Sequence, residues 1–279
     1  MKNLSSFYAL ATLMSLAVPA LGQNAAEEAE FKAVTTITPV FSRTERDMAA
    51  SNPAYFTIDP KSVKLRLIEA KDDAPIINLA ESNPKSLEGI LVSVEKIVNI
   101  GSKIWKIVQE NAPVAQIETK YATAYPAGVT SATQLAGWSR PRSYVYGFYA
   151  ENLFGATMID CEYKVTYTYG GSYKGNGRFL TAVAVVPTKV DVAWGYKFYM
   201  NASVPDSTVV NVGSDVDPIA AMQLKLNWKM ATVLKESDGT SVYYIQGNGY
   251  YEEIATPWKK GPAVEDVSSA APLLEGNVF

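Results

Sequence analysis

The sequence predicts an α+β fold: mainly an antiparallel β-sandwich, preceded by one long amphipathic helix. Two patterns carry this. Between 159 and 246 apolar and polar residues alternate with period two, in runs separated by Gly and Pro turn signals. Between 84 and 110 apolar residues recur at spacings of three and four, the period of a helix. Composition adds a boundary: there is no histidine and a single cysteine in 279 residues. The fold must therefore rest on its core or on oligomerisation, not on disulfides or ordinary zinc sites.

Residues 1–22 read as a cleavable signal peptide. Lys2 gives the positive start, an apolar run follows from Phe7 to Val18, Pro19 breaks it, and Ala20 and Gly22 suit a cleavage site. The run is shorter than the ~20 apolar residues that span a bilayer. Cleavage would leave 257 residues and move the net charge from −3 to −4. The chain is then an exported one, with the outer membrane as the expected location and the periplasm or the medium as alternatives.

Residues 23–83 form an N-terminal segment with short strands. Val63, Leu65 and Leu67 alternate with Lys64 and Arg66, and recurrent prolines keep strands short. The helix is expected over 84–110, with Asn83 as cap and Pro84 at its first position. Its stripe consists of Leu87, Ile90, Leu91, Val94, Ile97, Val98, Gly101, Ile104, Trp105 and Val108. These residues, Gly101 aside, are the candidate membrane or oligomer contacts. Trp105 between Lys103 and Lys106 suits a lipid–water boundary, and identical helices from neighbouring subunits would bury the stripe in a ring. The bland alternative is a helix packed across its own sheet.

The β-sandwich is expected over 114–254. Cys161, Tyr163, Val165, Tyr167 and Tyr169 alternate with polar residues, 179–186 is nearly all apolar and reads as a central strand, and Leu224 to Met230 alternate again. The Gly-rich run 170–177 reads as a hairpin turn, since the ending of a phosphate loop is missing. The loop 211–217 has calcium-like spacing, but Met222 stands where the bidentate Glu would be needed. Asp160 and Glu162 read as a solvated strand face and Cys161 as a core residue. Residues 255–279 read as a tail. Fifteen of the 17 tyrosines follow residue 120, which suggests exposed sheet faces, interfaces or a membrane boundary.

No histidine means no Ser-His or Cys-His nucleophile and no common general base. The mildly acidic balance argues against nucleic acid. No catalytic, cofactor-binding or metal residue is expected, and the chain reads as no enzyme.

The stretch from Trp105 to about Gly249 carries further marks: Leu135-Ala136-Gly137-Trp138-Ser139-Arg140-Pro141, Asn152-Leu153-Phe154-Gly155, the run Tyr167 to Gly177, Val192-Ala193-Trp194-Gly195-Tyr196, and Asp217-Pro218-Ile219-Ala220. It resembles the PopA-like outer-membrane proteins of predatory and other Gram-negative bacteria. The resemblance implies a homo-oligomeric ring, with a β-sandwich bowl and membrane-inserted helices enclosing lipid. The implied partners are the chain itself and membrane lipid, with no cofactor. Actinoporin-type pore formers, which also join an amphipathic helix to an aromatic β-sandwich, are a rival. A β-sandwich module for glycan or protein is a third reading.

Overall fold

The computed structural model describes residues 38–74, 91–110 and 119–256. These residues are mostly antiparallel β-sheet, arranged as two sheets, with a single α-helix among them. Helix α1 (Arg43–Ser51) comes first, then β1 (Lys64–Asp72), β2 (Ser93–Val98), β3 (Ile104–Gln109) and β4 (Ala122–Ala127). There follow β5 (Arg142–Glu151), β6 (Thr157–Tyr173), β7 (Asn176–Val192), β8 (Lys197–Ser203), β9 (Val210–Asn211), β10 (Ala220–Ala231), β11 (Glu236–Gln246) and β12 (Tyr251–Ala255). The first sheet runs β1-β5-β6-β7-β4-β2; the second runs β12-β11-β10-β8-β3, with β9 beside β10.

The alternating runs fold as expected. In β6 the residues Ile159, Cys161, Tyr163, Val165 and Tyr167 turn into the core, and in β10 so do Leu224, Leu226, Trp228 and Met230. β7 lies between β6 and β4, which explains why its middle is apolar throughout. The β6–β7 hairpin closes on Lys174 and Gly175, both with positive φ, as a two-residue hairpin turn requires. The loop 211–217 is a polar turn in which the Asn211 side chain accepts from the backbone N–H groups of Gly213 and Ile219.

The long helix is a correction. Residues 84–90 lie outside the described residues, and 91–110 are not helical: Ser93–Val98 and Ile104–Gln109 are strands. β2 pairs with β4 in the first sheet, and β3 pairs with β8 in the second. The apolar spacing fits a helix, but seven of the residues in 93–109 are Val or Ile, whose branched Cβ favours the pleated state. Gly101 marks the corner between sheets. A Cβ there would stand 2.5 Å from the Tyr121 carbonyl oxygen. Asn99 knits this corner: its carbonyl oxygen accepts from the N–H groups of Gly101 and Thr123.

Helix α1 is a second difference, because the segment 23–83 was expected to hold only strands. Its signal is local: Ser42 and Glu45 form a reciprocal capping box, with the Ser42 N–H donating to Glu45 Oε2 at 2.6 Å and the Glu45 N–H donating to Ser42 Oγ at 3.1 Å. The helix is tied to the sheets through Glu45, whose carboxylate meets Lys197 Nζ at 3.4 Å, while Glu110 meets the same ammonium.

The tyrosines are the third. Tyr144, Tyr146, Tyr163, Tyr167, Tyr196 and Tyr243 are among the largest fully buried side chains, so they fill the interior instead of an exposed face. Burial is affordable because the hydroxyls find partners. Tyr163 and Tyr243 share a hydrogen bond of 2.9 Å between the two sheets, Tyr146 and Tyr251 one of 2.7 Å, and Tyr167 donates to the Gly249 carbonyl. Phe148 of β5 packs on Phe198 of β8 and Trp228 of β10, so both sheets contribute to one core.

Candidate functional site: an apolar end and its pocket

The expected membrane stripe is dispersed. Leu87 and Ile90 lie outside the described residues. Leu91 precedes β2 and is 91% exposed. Val94, Ile97 and Val98 belong to β2, and Ile104, Trp105 and Val108 to β3, in different sheets. Ile97, Trp105 and Val108 are core residues, and Val94 packs against that core. Trp105 is 3% exposed and reaches no surface. Register shifts between Ser93 and Ile97 and between Lys106 and Val108 decide which side chains turn inward here.

Exposed apolar groups gather elsewhere. The short loop 193–196 joins β7 of the first sheet to β8 of the second, so these strand ends share one end of the fold. At that end β5 also finishes and β6 begins (Glu151 opposite Thr157), and β10 finishes and β11 begins (Ala231 opposite Glu236). Three connections here carry large apolar side chains in the open. Leu153 and Phe154 on the β5–β6 loop are 55% and 63% exposed, Trp194 on the β7–β8 loop is 50%, and Leu234 on the β10–β11 hairpin is 47%.

The segment 53–58 supports these tips. The Leu153 N–H donates to the Thr57 carbonyl, Ile58 bridges to Asn152, and Tyr55 donates to the Trp194 carbonyl. Tyr196 donates to the Tyr55 carbonyl. Phe56 is fully buried and meets Trp194 edge to face at 5.8 Å. Gly195 has φ +83°, and a Cβ there would strike the Phe56 ring, so the turn that lifts Trp194 outward demands glycine. Trp194 thus has a rigid base and a free outer face.

Beside these tips lies a pocket of about 150 Å³, lined by Ile58, Pro60, Val63, Trp228, Met230 and the residues 232 and 235–238. Its inner walls are Trp228 and Met230 of β10 together with Ile58 and Val63. Its rim is the β10–β11 hairpin. The Thr232 hydroxyl is engaged by the N–H groups of Leu234 and Lys235, so it offers little to a ligand. Of the rim residues, Glu236 is bound by Lys229 at 2.6 Å, and Asp238 stands opposite the same lysine across the strand pair.

Other chemistry-bearing groups are held in inert states. Cys161 is fully buried, and burial together with the Asp160 and Glu162 charges pushes its thiol well above the ordinary range, so it is not a thiolate. Asp160 pairs with Lys189 on the outer face of the first sheet. Burial pushes the Glu45 carboxyl up, but hydrogen bonds from Ser42 and the Lys197 charge outweigh it and leave the group below its usual range. Among the described residues no cluster of three or more His, Cys, Asp or Glu is placed to hold a metal ion, and no helix is long and apolar enough to cross a membrane.

No protein-family model, curated protein or solved structure matches this chain. The Trp194 tip was not legible: the alternation of Val190, Val192, Trp194, Tyr196, Phe198 and Met200 reads as one strand face, but the chain turns at 193–196 between β7 and β8. Nor was the pocket, because its walls come from residues some 170 positions apart along the chain, Ile58 and Trp228 among them.

Proposed function

We propose that this is an exported, non-enzymatic envelope protein whose two sheets form a β-sandwich and whose apolar end meets lipid. The observation that carries the reading is the grouping of Leu153, Phe154, Trp194 and Leu234, all exposed, at one end of the sheets. Tryptophan and phenylalanine on supported loop tips are suited to the boundary between head groups and acyl chains, and scattered surface residues would not converge in this way. The leader-like residues 1–22 put the chain on an export route, and the outer membrane is the membrane it would meet in a Gram-negative envelope.

Assembly into a homo-oligomeric ring that encloses lipid belongs to the same proposal and rests on the PopA-like resemblance, whose motifs fall within the two-sheet region. Its membrane part would have to be built from loop tips or from residues outside 91–110, since that stretch is strand. The actinoporin-type alternative loses the same helix. The reading as a glycan-binding module has one observation in its favour: Lys106, Asn227 and Thr240 lie in one polar row across β3, β10 and β11, with the buried Asn201 of β8 between Lys106 and Asn227.

The test is flotation of the mature chain with vesicles of phosphatidylethanolamine and phosphatidylglycerol, alongside Phe154→Ser combined with Trp194→Ser. Wild type should float and the double variant should stay behind while keeping its β-sheet circular dichroism. Equal flotation of both would refute the lipid-facing end, and imaging of detergent-purified particles would decide ring against monomer.

A further inference from the structure

The pocket at the apolar end has a size and lining that select one kind of guest. Cavities of about 150 Å³ with purely apolar walls stay dry and take a group of about six carbons, benzene being the reference case. The walls here are aliphatic or aromatic: Ile58, Pro60, Val63, Trp228 and Met230. The Thr232 hydroxyl is already engaged by backbone, while Ser237, which pairs with Met230, adds a second hydroxyl and Lys235, Glu236 and Asp238 add charge to the lining. An alkyl group seated against the five apolar residues needs no polar partner there.

The rim is different. Glu236 is held by Lys229, and Asp238 stands opposite the same lysine. Lys235, on the same rim and exposed, forms no ion pair among the described residues. An apolar slot with an unengaged ammonium at its mouth is complementary to an amphiphile with an anionic head.

We propose that this pocket binds the end of a single alkyl chain whose anionic head pairs with Lys235. The inference rests on the reading that this end of the protein meets lipid, and it adds a defined site to it. A free fatty acid and a monoacyl phospholipid share this chemistry. Trp228 is a wall of the pocket and reports occupancy through its fluorescence.

The experiment titrates the mature chain, carrying Trp194→Phe to remove that exposed tryptophan, with sodium decanoate, with decanol and with decanoyl-lysophosphatidylglycerol, each below its aggregation threshold. Decanoate should give a saturable change in Trp emission. Lys235→Met should weaken decanoate by about two- to fivefold, the range of an exposed ion pair, and leave decanol unchanged. Val63→Phe and, independently, Ile58→Phe fill the slot from two sides and should abolish the saturable change. Circular dichroism confirms that at least one of the two is folded. No saturable response in the parent chain, or full binding by a folded filling variant, overturns the proposal. Equal weakening of decanol and decanoate by Lys235→Met overturns the head-group pairing. Saturation by decanoyl-lysophosphatidylglycerol alone assigns the site to a monoacyl phospholipid, and saturation by decanoate alone assigns it to a free acid. Flotation depends on Phe154 and Trp194 and not on the pocket, so a wild-type chain that fails to float yet binds decanoate refutes the membrane-facing reading and leaves the pocket standing.

Discussion

Replacing Gly101 by Ala makes the strand and helix readings of 91–110 predict opposite signs. Within a helix, Gly→Ala removes backbone entropy from the unfolded chain and gains about 1 kcal/mol. At the corner between β2 and β3 the new Cβ would lie 2.5 Å from the Tyr121 carbonyl oxygen, 3.1 Å from Ala122 Cα and 3.3 Å from Ala122 C. All three are backbone atoms, so no side-chain rotation relieves the contact. The corner is also fixed by the Ser102 N–H donating to the Tyr121 carbonyl at 2.8 Å and by Asn99, which resists the required shift. The φ of Gly101 is not in the left-handed region, so the cost is steric alone. Overpacking of this kind costs about 1–3 kcal/mol. In a domain of this size that lowers the thermal midpoint by about 2–4 °C per kcal/mol. Urea unfolding followed by far-ultraviolet circular dichroism measures it, with an unchanged m-value confirming that the native state is the one affected. A stabilised Gly101→Ala protein would refute the corner and return the segment to a helix.

Three further outcomes follow from the core. Tyr163→Phe and Tyr243→Phe each strand a buried hydroxyl and should cost about 1–3 kcal/mol, while the double variant costs clearly less than their sum; additive losses would mean that the 2.9 Å bond between the sheets contributes nothing. Burial pushes the Tyr146, Tyr163 and Tyr251 hydroxyls above the ordinary value of about 10, so the unfolded chain sheds these protons first; stability is full below about pH 10 and falls as pH rises, with tyrosinate absorbance from these residues appearing only with unfolding, and gradual titration without loss of sheet signal would contradict their burial. Glu45 has a carboxyl lower in the folded state than in the unfolded one, so its contribution is present above the ordinary carboxylate value of about 4 and is lost as pH falls through the folded value; Glu45→Gln should cost about 1–2 kcal/mol at neutral pH with a deficit that shrinks in acid, and a pH-independent deficit would assign the loss to packing.

The two-sheet body could be read from the chain because its determinants are local. Alternation over 159–169 and 224–230 states which face is buried, whatever strand lies alongside, and the hairpin at Lys174-Gly175 is written in turn chemistry. The capping box of α1 was equally local: Ser42 and Glu45 announce the helix start in four residues. The candidate site was less legible. Trp194 sits in an alternating run that reads as strand through 190–200, and that its turn shares one end with the Phe154 turn follows only from the register of β5, β6, β7 and β8.

By itself, the sequence determined the period-two strands, the histidine-free chemistry and the absence of an internal disulfide, since each depends on residue identity and near neighbours alone. The tertiary structure decided the rest. The apolar residues of 93–108 fit a 3.6-residue period and not a regular two-residue one, yet pairing made them strands with register shifts: Ile97 and Val98 found Pro126 and Tyr125, and Trp105 and Val108 found Ala202 and Met200. Tyrosine, amphipathic by nature, could have faced out; it went in because Tyr163 met Tyr243 and Tyr146 met Tyr251, contacts between residues 80 and 105 positions apart. A strand's hydrogen bonds and a buried hydroxyl's partner lie elsewhere in the chain, and no local pattern can supply them.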